Sequence, residues 1–185
     1  MPAHDATEEA LVSVDVEASG PSPSTGSLIS LGACLVEDPA AAIYLELQPL
    51  PDAPWSADAQ LVHHLERDRL ERDGLPPDQA MVRLEEWLKA VVGRRQPVFV
   101  GFNAPFDWMF VNDYFQRYLG RNPFGVSALD IKSYYMGRER IALWSQTTHR
   151  HVTSRFPVSG DHTHNALDDA REQAELMRLL CADMT

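Results

Sequence analysis

Only two cysteines, Cys34 and Cys181, occur in 185 residues, too few and too far apart in sequence for a zinc site or a disulfide framework. Each lies in an apolar pattern, where a buried thiol is the expected role. No run of about 18 apolar residues occurs and residues 1–9 are mostly polar and acidic, so neither a membrane span nor a secretory signal is expected. The expected location is the cytoplasm. Basic residues are scarce: 16 Lys and Arg stand against 27 Asp and Glu, for a formal net charge of −11. That balance argues against coating nucleic acid by broad electrostatic attraction. It leaves room for an enzyme that grips a chain end with a few basic side chains while metal ions neutralise its own acidic cluster. Internal repeats and low-complexity segments are also absent.

What is present suits one folding unit, 1–185, since 44% hydrophobic content at this length builds a sizeable core. The chain is organised around residues 11–20. Val12, Val14 and Val16 alternate with Leu11, Ser13, Asp15 and Glu17, so a period of two assigns Asp15 and Glu17 to one face of one strand. Their backbones lie roughly 6 to 7 Å apart there. Two like charges that close on an apolar framework need a cation to offset their repulsion, unless the strand end simply turns into solvent.

Residues 27–36 and 42–47 read as two more strands, set off by Pro21-Ser-Pro-Ser-Thr-Gly26 and Glu37-Asp38-Pro39, and three strands joined this tightly suggest an antiparallel meander. Ser56 is placed as an N-cap for a helix continuing to Gly74, with Leu61, His64, Leu65 and Leu70 at helical spacing. His63 and His64 on it make a poor chelate, and a surface or packing role is expected. Pro76-Pro77-Asp78 opens another helix through Val92, read as a cover for the sheet.

Residues 97–102 form a core strand that enters a helix at Asn103-Ala-Pro-Phe-Asp107 and ends at Gly120, with Asn103 as N-cap. A carboxylate at Asp107 also suits the helix dipole. Residues 126–131 read as a fifth strand with Asp130 near its end, and a last helix runs over about 164–184 after Asp161-His162-Thr163-His164. A mixed α/β sheet flanked by helices is the economical architecture.

Three separated segments thus offer acids at element ends, and together they resemble the DEDDh 3′-to-5′ exonucleases of the ribonuclease-H-like group. The matching motifs are Asp15-Val-Glu17, Asn103-Ala-Pro-Phe-Asp107 and His164-Asn-Ala-Leu-Asp-Asp169. Helical spacing alone would pair His164 with Asp168; the motif selects Asp169, which is sensible if His164 lies just outside the regular helix. Two departures, Ala18 where Thr is frequent and Phe102 where His is frequent, bear on contacts to the terminal nucleotide and remove no metal ligand.

The resemblance implies a ribonuclease-H-like fold and hydrolysis of single-stranded nucleic acid from its 3′ end with two divalent ions, Mg2+ or Mn2+. By the same resemblance Asp15 bridges both ions, Glu17 and Asp169 complete the water-activating site, and Asp107 serves the other ion, partly through water. His164 takes the proton of the attacking water, and Ala18, Asn103 and Phe106 lie against the terminal nucleotide. Asn103 reads equally as a helix cap and Phe106 as a core aromatic. The resemblance also leaves a homodimer open. Arg138, Arg140, Arg150 and Arg155, with His149, His151 and Trp144 among them, read either as a backbone-binding edge for a single strand or as a solvated helix face. The rival functions are a phosphodiesterase on short oligonucleotides or nucleotide conjugates, and an inactive binding module of the same fold.

Overall fold

The computed structural model describes residues 8–159 and 164–182. The alternating valines of the first segment form β1 (Glu9–Ala18), followed by β2 (Leu28–Leu35) and β3 (Ala42–Glu46), the expected antiparallel meander. β4 (Gln96–Gly101) and β5 (Ala128–Asp130) add to the other side of β1 in parallel, giving one five-stranded sheet in the order β3-β2-β1-β4-β5.

Helices cover both faces. Val12, Val14 and Val16 pack with α3 (Pro77–Val92) and α4 (Pro105–Leu119), burying Met81, Leu84, Phe110 and Phe115. On the opposite face Leu11 and Val100 meet α5 (Ile131–Arg138), α6 (His149–Arg155) and α7 (Ala166–Ala182) through Tyr135, Val152, Met177 and Leu180. The period of two therefore aims Asp15 and Glu17 at the α7 face. Cys34 is buried as expected, whereas Cys181, expected to be buried too, is only partly covered at the edge of the same cluster.

Four local expectations are corrected. The helix expected to reach Gly74 is two, α1 (Ala57–His63) and α2 (Arg67–Asp73), because His64 turns left-handed at φ 56° and ends the first by donating its N–H to Gln60 O. Ser56 caps α1 as expected, accepting from Ala59 N–H. Leu61, placed at helical spacing with Leu65 and Leu70, is 74% exposed, whereas His63 is buried edge-on against Trp55. Burial pushes the His63 imidazole down to about 4, which keeps it neutral in the core. Asn103 is not the cap of α4: it sits at φ 65° and the capping position falls to Ala104, whose N–H is taken by Asp130 Oδ1 at 3.0 Å.

The fifth strand shrinks to Ala128–Asp130, since Val126 is 94% exposed and Asp130 caps α5 through Ser133 N–H. The last helix begins at Ala166; residues 161–163 of the polar cluster before it, and 183–185 after it, lie outside the described residues. The basic segment folds into α5, a short 3-10 helix (Trp144–Thr147) and α6. Two of its arginines are internal ties, Arg138 and Arg155 both pairing with Glu139.

One close approach sets the position of α7. Gly32 on β2 stands opposite Asp15 on β1, and a Cβ there would meet the Ala166 carbonyl and Leu167 Cα at 2.3 Å. The missing side chain lets the start of α7 lie directly on the sheet beside the two β1 carboxylates. Gly32→Ala is expected to lower stability by roughly 1–3 kcal/mol by overpacking; a urea midpoint equal to that of the parent chain would contradict this account.

Candidate active site

β1 outruns its parallel neighbour. β4 pairs with it only as far as Ser13↔Val100, so the β4-side edge of β1 beyond that point has backbone donors without a strand partner. Into this notch comes the first turn of α4, and Asp107 Oδ1 accepts from Val16 N–H at 3.0 Å. The Asp107 side chain is buried, and burial pushes its carboxyl up to about 8 against the pull of that hydrogen bond, with the charge of Glu17 raising it further.

α7 brings the remaining groups. Asp169, the residue the motif selects, is buried on its inner face, while Asp168, the residue that helical spacing alone would pair with His164, is exposed with Oδ1 3.7 Å from Arg171. His164 precedes the helix in a left-handed conformation at φ 56°, and Asn165 supplies the cap by accepting from Leu167 N–H at 3.0 Å. Ligand atoms of Glu17, His164 and Asp169 lie within 4.8 Å of one another.

All five polar residues named from the sequence, Asp15, Glu17, Asp107, His164 and Asp169, line one cleft of about 370 Å³. Asn103 and Phe106 line it as well. Ala18 does not; it lies in an adjoining groove that shares Glu17, Val62 and Phe106 with the cleft.

Gln173 and Glu172 reach the cleft unannounced by the sequence reading, and His149, read there as part of the basic segment, lines it as well. Gln173 is buried, with its amide oxygen accepting from Phe102 N–H at 2.9 Å and its amide nitrogen donating to Asp15 Oδ1 at 2.6 Å. A backbone donor on one side and a carboxylate on the other fix which way this amide points. Glu172 lies 3.1 Å from His149 Nε2, and the His149 ring stands edge-on to Phe102 at 5.4 Å. The signal was available for α7: Glu172 and Gln173 fall three and four residues after Asp169, on the same helix face.

The donor set fits hard divalent cations. Four carboxylates with one imidazole are oxygen-rich ligands, and a buried carboxyl raised this far is stabilised as an anion only by added positive charge. The sign of its pH effect follows. Without metal the folded state holds the Asp107 proton at pH values where the unfolded chain has released it, so this group's stabilisation falls as pH rises from about 4 towards 8. In chelator, Asp107→Asn, which keeps the acceptor for Val16, should be more stable than the parent at pH 8 and similar near pH 4, where both folded and unfolded states approach the protonated form. Mn2+ should raise the melting temperature of the parent more than that of the variant. Equal pH slopes for the two proteins would overturn the assignment.

Comparison with known proteins agrees with this geometry. The exonuclease family model RNase T matches residues 12–177. The chain is 45% identical over 174 residues to the 3′-5′ DNA exonuclease Cap18 of Escherichia coli, covering 94% of this chain and 92% of that protein. Among solved structures it is similar to the nuclease domain of 3′hExo, a DEDDh family member bound to rAMP, with a TM-score of 0.77 at 17% identity over 97% of this chain and 95% of that one. It is also similar to a zinc-bound E. coli exonuclease I–ssDNA complex, TM-score 0.72 at 14% identity, over 96% of this chain and 41% of that one. The sheet and its flanking helices thus have the ribonuclease-H-like fold, and the chain belongs to the RNase T family of exonucleases as a 3′-to-5′ enzyme of the DEDDh type.

Proposed function

We propose that residues 1–185 form a single exonuclease domain that removes nucleotides successively from the 3′ end of single-stranded DNA, with a histidine base and two divalent cations. The observation that carries this reading is the convergence of carboxylates from β1, α4 and α7, with His164 beside them, in one cleft. DNA is preferred over RNA as substrate because the E. coli relative is named a DNA exonuclease. The place of action proposed is the cytoplasm; among the described residues no helix is long and apolar enough to cross a membrane.

In this mechanism Asp15, Glu17, Asp107 and Asp169 hold Mg2+ or Mn2+, which when bound supplies Lewis-acid stabilisation to the attacking and leaving oxygens. His164 accepts the proton of the water that attacks the terminal phosphodiester. The bond from phosphorus to the 3′ oxygen of the penultimate nucleotide breaks, releasing a nucleoside 5′-monophosphate and a chain one nucleotide shorter. Asp107, fastened to Val16, and Asp15, fastened to Gln173, keep their carboxylates in place through the cycle. Phe106 and Asn103 wall the space for the terminal nucleotide, and Ala18 borders it from the adjoining groove.

End-labelled single-stranded DNA and RNA of several lengths, incubated with Mg2+ or Mn2+, test the reading. The expected outcome is a ladder shortening from the 3′ end, faster on DNA; endonucleolytic products would refute it. Asp15→Asn should abolish turnover without unfolding the protein, and His164→Ala should lose on the order of 10² to 10⁴ in single-turnover rate, against a few-fold for His162→Ala. Gln173→Leu removes the anchor of Asp15 and is expected to weaken Mn2+ binding by roughly 10- to 100-fold in calorimetry, the range for groups that orient metal ligands. Unaltered Mn2+ affinity in that variant would show that Asp15 does not depend on Gln173.

A further inference from the structure

Beyond the cleft the surface carries an aromatic and a cation that the hydrolytic reaction does not use. Trp144 is 51% exposed and Leu143 beside it 58%, high values for large apolar side chains next to a substrate cleft. Lys132 Nζ lies 4.4 Å from the centre of the Trp144 ring. In a chain of net charge −11, Lys132 has no carboxylate within ion-pair distance among the described residues. Its other polar neighbour is Asn103 Oδ1 at 3.4 Å, and Asn103 lines the cleft.

A second tie holds the ring near the site. Trp144 begins the short 3-10 helix closed by Thr147, whose buried hydroxyl donates to Trp144 O at 2.8 Å. Thr148 then caps α6, and the first residue of that helix, His149, lines the cleft beside Phe102. Ring and ammonium are therefore connected to the cleft rim through two separate elements, α5 and α6.

The geometry points to a platform made by Lys132 and Trp144 that holds the single strand upstream of the nucleotide being cleaved, with a base against the indole and a phosphate at the ammonium. The inference rests on the exonuclease reading and extends it from the scissile bond to the strand behind it. Stacking on an indole is indifferent to base identity, because every base has a π-face, and duplex DNA keeps those faces occupied. One cation near a phosphate adds charge attraction without the broad basic surface that this chain lacks. The platform thus favours single strands over duplexes and longer oligonucleotides over minimal ones.

The test compares the p-nitrophenyl ester of thymidine 5′-monophosphate, which has nothing upstream, with oligothymidylates of two to twelve nucleotides. Trp144→Ala should reduce the ratio of kcat/KM for the twelve-mer to that for the ester by about 5- to 20-fold, through KM, as expected for loss of one stacking partner. Trp144→Phe should restore most of it. Lys132→Met should lower the slope of log KM against log salt by about 0.7, the value of one phosphate contact on a single strand. A length ratio unmoved by Trp144→Ala, or a salt slope unmoved by Lys132→Met, overturns the platform while leaving the exonuclease reading intact. If the parent protein hydrolyses neither ester nor oligonucleotide, the exonuclease reading falls and the platform with it.

Discussion

Like charges gathered in a notch of the sheet are the constraint on which the rest of the structure depends. Asp107 is driven toward its neutral form by burial and by Glu17, yet it is held there by the Val16 N–H that β4 leaves unpaired. Added positive charge would stabilise the ionised Asp107 carboxylate, so any cation bound here is coupled to the charge state of that residue at the end of β1.

Holding carboxylates against their repulsion takes neighbours with little freedom. Gly32 opens the space through which α7 approaches β1, and Gln173 spans from the Phe102 backbone to Asp15, fastening the end of β4 to the carboxylate on β1. Glu172 and His149 extend the polar lining toward α6. Each of these groups acts on the geometry of the acids more than on the core, which is closed by the valines of β1 and the aromatic face of α4. The fold divides its faces accordingly: one for apolar packing with α3 and α4, the other carrying the polar cluster under α7.

A net charge of −11 fits a nuclease of this kind if attraction is local. Arg138 and Arg155 are spent on Glu139 within the protein, so the basic segment is less of a nucleic-acid edge than its composition suggests. Near the cleft stand Lys132 and the half-exposed indole of Trp144, with Arg140 and Arg150 of the basic segment also exposed. Grip on a strand by stacking and a single cation depends less on salt than grip by a basic surface.

Short-range pattern determined much of this protein. The alternation in β1 assigned Asp15 and Glu17 to one face, because side chains in a strand must alternate, and the turns bounding β2 and β3 made the meander. The three motifs carried Asp15, Glu17, Asp107, His164 and Asp169, since their residues lie within or just before single elements at set spacings, whereas Glu172, which also lines the cleft, lay outside them. Tertiary structure decided what depends on neighbours distant in sequence. Helix periodicity continued through His64, but the chain broke there, leaving Leu61 exposed and His63 packed on Trp55. Asn103 had the chemistry of a cap but does not act as one: Pro105, two residues on, has no N–H to give, the Phe106 N–H goes to the Asn103 carbonyl, and the Asn103 side chain accepts from Lys132 instead. Gln173 lay in view on the helix face of Asp169, yet its two partners, on β1 and just beyond β4, exist as neighbours only once the sheet has formed. Hydrogen bonds across 158 and 71 residues leave no trace in local spacing, so only the folded chain could join them.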